Sequence, residues 1–227
     1  MFKRILVMVA SIVSIYAACV LITAINKSAP TVPPAYTEVT TTEWSGGTTH
    51  VIYFSSSIEA PEYYSTLLLQ LTQAAVGDKF IFHLAGNGGD AATILAFYNA
   101  INSTVADTVA VVDGPVYSAH AYLSVLTKQT IVNSGTIFMF HRGSIFGQEQ
   151  VVCKEYKGRL DRKQDAYKKC LDFIESWTVM ENRLLPQMLG KYLTTNELQR
   201  ILEGHDVYVQ GDEMKRRVGE THDSNSA

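Results

Sequence analysis

From His50 onward the hydrophobic positions fall in short blocks whose spacing switches between two periods. "VIYFS" (51–55), "KFIFHLA" (79–85), "TVAVV" (108–112), "QTIVN" (129–133) and "TIFMFH" (136–141) are rich in β-branched and aromatic residues and predict strands. Between them, 60–75, 90–102 and 118–127 predict helices. Strands alternating with helices imply an α/β layered fold. Residues 154–190 break the alternation. There "EYKGRLDRKQDAYKKCLDFIESW" reads as one long charged-amphipathic helix, with Leu160, Tyr167, Leu171, Phe173, Ile174 and Trp177 forming an apolar stripe that needs a surface to bury it.

Ahead of these blocks the pattern is different. After "MFKR", Ile5 to Ile25 run for 21 positions without a charge, close to the ~20 apolar residues that cross a bilayer. Residues 1–26 therefore read as a transmembrane anchor or a signal peptide, Ala17-Ala18-Cys19 being the nearest approach to a small-residue cleavage site. Residues 27–50, with three prolines, two glycines and seven threonines and no apolar period, read as a linker. The folded domain is then expected over 51–219 and a disordered tail over 220–227. Lys3 and Arg4 precede the apolar run, whereas after it Lys27 is the only basic residue before Lys79, with Glu38, Glu43, Glu59 and Glu62 between. Basic residues stay on the cytoplasmic side, so the domain is expected outside the cytoplasm, membrane-tethered or, if the signal is cleaved, secreted or periplasmic. Alkaline phosphatase fused after residue 227 should then be active; an inactive fusion beside a working cytoplasmic reporter would reverse the topology.

Composition narrows the partners. The chain has 227 residues, 47% hydrophobic and 18% charged, enough for one core, and its net charge of −3 with interspersed basic residues gives no nucleic-acid surface. A protein or small-molecule partner is expected. Of three cysteines, Cys19 lies in the apolar run, and Cys153 and Cys170 show no metal-ligand spacing. Neither a metal nor another cofactor is expected. The pair fits a disulfide or two free thiols equally.

Candidate chemistry sits where strands end. "KFIFHLA" leads into Gly86-Asn87-Gly88-Gly89-Asp90, a glycine turn that frees backbone amides at the start of the next helix. "TVAVV" is read as ending in Asp113-Gly114-Pro115, after which Ser118 stands at a helix start, either as a cap or as a nucleophile. "TIFMF" ends in His141. Amides, a hydroxyl and an imidazole in three such loops are the parts of acyl transfer.

The segments "HLAGNGGDAATILAFYNAI", "GPVYSAHAYLSV" and "IFMFHRGS" resemble the three blocks of the Clp protease proteolytic subunit (ClpP) family, over roughly residues 50–219. A last block, "GHDVYVQGDEMKRRVGE", resembles the family's ending. The resemblance implies a ClpP/crotonase-like spiral of β-β-α units with a protruding handle helix at 154–190. It also implies a serine endopeptidase acting on peptides or proteins, and a homo-oligomer. Carried over, Ser118 is the nucleophile, His141 the general base and Asp206 the carboxylate that orients it, with the amides of Gly89 and Ala119 as oxyanion hole. Three positions depart from the family pattern: Asn87 replaces a proline, His120 stands where a glycine or alanine is usual, and His205 replaces an arginine. Asp90 and Asp113 compete for the third role. Other readings are a signal-peptide-peptidase-like membrane protease with a lysine base, for which Lys128 is the candidate, a thioester-handling crotonase relative, and a catalytically silent scaffold.

Overall fold

The computed structural model describes residues 35–42, 47–54, 57–143 and 164–224. They belong to a folded unit spanning Pro34–Ala227. The apolar run, Cys19, Cys153 and the first part of the 154–190 segment lie outside the described residues. Among the described residues no helix is long and apolar enough to cross a membrane.

The described residues form a mixed α/β architecture, with one seven-stranded sheet and six α-helices among them. The chain runs β1 (Tyr36–Thr42), β2 (Thr48–Phe54), α1 (Ser65–Gln73, led by a 3-10 turn at Pro61–Tyr64), β3 (Lys79–Gly86) and α2 (Ala91–Ser103). It continues as β4 (Asp107–Tyr117), α3 (Ala119–Leu126), β5 (Gln129–Val132), β6 (Ile137–Phe140), α4 (Gln164–Leu189), α5 (Thr195–Leu202), β7 (Val207–Gln210) and α6 (Gly211–Ser224). Strand order is β1-β2-β3-β4-β6-β7, with β5 also paired to β4. The pairs β2–β3, β3–β4, β4–β5 and β4–β6 are parallel, while β1–β2 and β6–β7 are antiparallel.

Three boundaries differ from the sequence expectation. Residues 36–42, assigned to the linker, form β1, and Thr48 to His50 open β2. Threonine favours strands, and the 37–42 segment pairs residue for residue with β2, Val39 facing Val51. The C-terminal helix continues to Ser224, past the expected end of the domain at 219. Most instructive is β4, which does not stop before Asp113-Gly114-Pro115 but runs through it to Tyr117. Its partner changes there: Val109–Val112 pair with β5, and Val116–Tyr117 pair with β6. On the other edge, β3 shifts register between Leu84 and Gly86, so that residues 113–115 lie opposite Ala85 alone. A proline lacks the N–H that a strand interior needs; at a bulge between two partners that N–H is not required.

One face of the sheet buries Ile52, Phe80, Phe82, Leu84 and Val112 against Leu67 and Leu71 of α1, Phe97 and Ile101 of α2, and Leu123 of α3. The opposite face exposes Val39, Tyr53 and Ile131. At the C-terminal end, Arg217 of α6 donates to Glu197 of α5 at 2.9 and 3.1 Å and to the Tyr192 carbonyl at 2.9 Å. Burial works against the Glu197 charge, but the hydrogen bonds from Arg217 and Thr194 outweigh it and hold the carboxyl below its ordinary range. This clamp fixes the helices on either side of the segment carrying Asp206 and β7.

Candidate active site

Ser118 stands where β4 gives way to α3. Tyr117 pairs with Met139 of β6, and the Ser118 N–H donates to the Met139 carbonyl at 2.8 Å, so the strand delivers Ser118 beside the end of β6. Its φ is +52°, the single non-glycine residue with positive φ among the described residues. Such a conformation costs of order 1–3 kcal/mol and persists only where the surroundings impose it. Although Ser118 occupies the N-cap position of α3, its hydroxyl makes no capping hydrogen bond. Oγ instead lies 2.7 Å from Nε2 of His141. Ser118 therefore does not cap α3 through its side chain.

His141 follows directly on β6. Its carbonyl accepts from the Tyr122 hydroxyl at 2.8 Å. Burial, reinforced by the nearby Glu181 charge, pushes the Tyr122 phenol far above its ordinary value, so it stays protonated and a donor. On the far side of the ring, Nδ1 is 3.9 Å from Oδ1 of Asp206, beyond hydrogen-bond reach. The Asp206 side chain is 51% exposed and that of His141 23%. Asp206 is therefore near the imidazole, as expected, but solvated rather than bonded to it.

The glycine turn packs against Ser118. A Cβ on Gly88 would come within 2.6 Å of the Ser118 Cβ, and one on Gly89 within 2.0 Å of the Ile58 carbonyl oxygen. Both have positive φ, +106° and +149°, which glycine adopts without strain. The Ile58 N–H donates to the Gly88 carbonyl, and the Asp90 N–H donates to the Ile58 carbonyl, each at 2.8 Å. Because the peptide between Gly88 and Gly89 is trans, the Gly89 N–H points opposite to the Gly88 carbonyl, away from Ile58. At the start of α3, Ala119 carries one of the amides that no intrahelical acceptor satisfies. Gly89, Ser118 and Ala119 all line one cavity.

That cavity measures about 260 Å³, and its walls include Ile94, Leu95, Trp177, Met180, Leu184 and Met188. Four of these come from α4, so the C-terminal half of the long helix buries its apolar stripe on its own domain. The exception on that face is Glu181, which is buried. Its carboxylate accepts from Nε of Arg142 at 2.7 Å and from the Gly143 N–H at 2.9 Å, pinning the two residues after His141 to α4. Arg142 also donates to the Leu202 carbonyl at 3.0 Å. A buried charge needs such pairing.

Other candidates lie elsewhere. Asp113 bonds His83 at 2.6 Å and accepts from Asn133 at 3.3 Å; Asp90 caps α2 by accepting from the Thr93 N–H at 2.7 Å. The Lys128 ammonium donates to the Ala106 carbonyl at 2.6 Å, beyond the end of α3 opposite to Ser118. His120, which stands where the family pattern has a glycine or alanine, is fully buried and bonds 32 residues away, its Nδ1 accepting from the Gly88 N–H at 3.1 Å. Among the described residues no cluster of three or more His, Cys, Asp or Glu could hold a metal. Glu181, Arg142 and Tyr122 were not singled out by the sequence. For Glu181 a signal existed, since an acid four residues after Trp177 and three before Leu184 interrupts an apolar helical face.

No protein-family model matches the chain, and no curated protein matches it.

Proposed function

We propose that this protein is a serine hydrolase cleaving peptide bonds, of the ClpP-like kind that its sequence blocks resemble, with Ser118 as nucleophile, His141 as base and Asp206 as orienting carboxylate. The observation that carries the reading is the 2.7 Å contact between Ser118 Oγ and His141 Nε2 at a serine held with φ +52° and released from capping. With the imidazole protonated on Nδ1, Nε2 takes the Ser118 proton as Oγ bonds the substrate carbonyl carbon. The carbonyl oxygen becomes an anion, for which the amides of Gly89 and Ala119, both lining the cavity with Ser118, serve as donors. The C–N bond then breaks, the leaving amine takes the proton from His141, and water releases the acyl group by the same steps. The apolar cavity beside Ser118 favours a substrate with a large apolar side chain next to the scissile bond. Incubation of the full chain with a fluorophosphonate should place one phosphonyl group on Ser118, read by peptide mass mapping. An unmodified Ser118 would count against the hydrolase.

We also propose that the domain forms a homo-oligomer and is tethered to a membrane by, or exported through, residues 1–26. Support for assembly comes from the sheet itself: parallel strands are usually covered on both faces, yet here Tyr53 and Ile131 stand exposed on one. Sedimentation of the detergent-solubilised full chain at micromolar concentration should show species larger than a protomer; monomer alone would end the assembly proposal.

A further inference from the structure

We infer that His120 is a positioning residue that sets the oxyanion-binding amide through the glycine turn, an inference resting on the hydrolase reading above. Three polar groups of the turn are already engaged. The Gly88 carbonyl and the Asp90 N–H are bonded to Ile58 at 2.8 Å each, and the Gly88 N–H donates to His120 Nδ1 at 3.1 Å. The first bond holds the peptide that carries the Gly89 N–H, the second the peptide after it, and the third the peptide before it. Two consecutive glycines with φ +106° and +149° have no side chains of their own to hold them, so without the third bond the turn keeps the backbone freedom that glycine brings.

The geometry gives His120 this task directly. It lies two residues after Ser118 on the first turn of α3, is fully buried, and its ring meets Phe54 edge-on at 6.4 Å between centroids. The nucleophile and the support of its oxyanion loop thus ride on one rigid element. To accept from an amide, Nδ1 must carry no proton, which makes His120 a neutral imidazole with its proton on Nε2. Its role differs from that of His141: it touches no reacting atom and acts only through Gly88.

The test uses the full chain and the kinetics of fluorophosphonate labelling, which need no known substrate. The phosphoryl oxygen of the probe takes the place of the carbonyl oxygen, so the maximal labelling rate reports on the oxyanion site. The half-saturating probe concentration reports on the cavity. Removing an oxyanion donor outright costs about 10²–10³-fold. His120→Leu loosens rather than removes one, and is expected to lower the maximal rate ~10–100-fold with half-saturation unchanged. His120→Asn sets an amide oxygen close to the place of Nδ1 and is expected to label within about threefold of the parent. Equal maximal rates for the parent and a folded His120→Leu would overturn the inference while leaving the hydrolase in place. Should His120→Leu fail to fold, a folded His120→Asn that no longer labels would overturn it equally. A parent protein that does not label would overturn the hydrolase reading and this inference together.

Discussion

Ser118→Ala is expected to abolish fluorophosphonate labelling and to lower any peptide turnover by about 10⁴- to 10⁶-fold, leaving the fold intact. The size follows from what Ser118 alone supplies. Among the described residues it is the cavity hydroxyl that meets the His141 imidazole, the other one there, on Tyr122, being spent on the His141 carbonyl. The backbone should tolerate the change, because Ser118 is held by main-chain bonds, its N–H to Met139 and its carbonyl from the Tyr122 N–H at 3.0 Å, and alanine keeps both. The positive φ strains alanine about as much as serine. A melting temperature within a few degrees of the parent is expected. His141→Ala should be comparably inactive, and the double variant no worse than either, since the two groups act as a unit. Turnover by a folded Ser118→Ala protein at the parental rate would remove the nucleophile.

Most of this site was legible because its parts sit at ends of strands, where short sequence blocks carry both the element and the residue. The glycine turn, Ser118 and His141 each follow a run whose β-branched and aromatic content identifies a strand, and parallel pairing of β3, β4 and β6 brings those ends together. Legibility fails where placement depends on partners far along the chain. Glu181 reaches Arg142 across 39 positions and His120 reaches Gly88 across 32, and although the helical pattern could flag Glu181, no local pattern names either partner. The course of β4 was hidden for a related reason. Asp113-Gly114-Pro115 has turn chemistry, and only the exchange of β5 for β6 along one edge lets it stay extended. The misread of β1 was compositional: threonines between Pro34 and Gly46 look like a linker until a partner strand in matching register is present.

Asp206→Asn is expected to slow labelling and turnover about 10²-fold, less than the ~10⁴ that loss of the orienting carboxylate costs in a buried triad. Its distance from His141 Nδ1, 3.9 Å, and its 51% exposure set the lower figure. A carboxylate half in water interacts with an imidazole through a high effective dielectric, and water can replace part of what it supplies. The variant should nonetheless be impaired. Asp206 is the only carboxylate placed on the Nδ1 side of His141 among the described residues, Asp113 being bound to His83 and Asp90 to the start of α2. Little change in stability is expected, within about 0.5 kcal/mol, as for other exposed substitutions away from buried networks. The defect should therefore appear in the rate and not in the melting temperature. Asp113→Asn is the matched control, removing an equal charge from the strand that leads to Ser118, and it should retain near-parental labelling. An inactive Asp113→Asn beside a fully active Asp206→Asn would transfer the orienting role to the His83–Asp113 pair and require a different arrangement around His141.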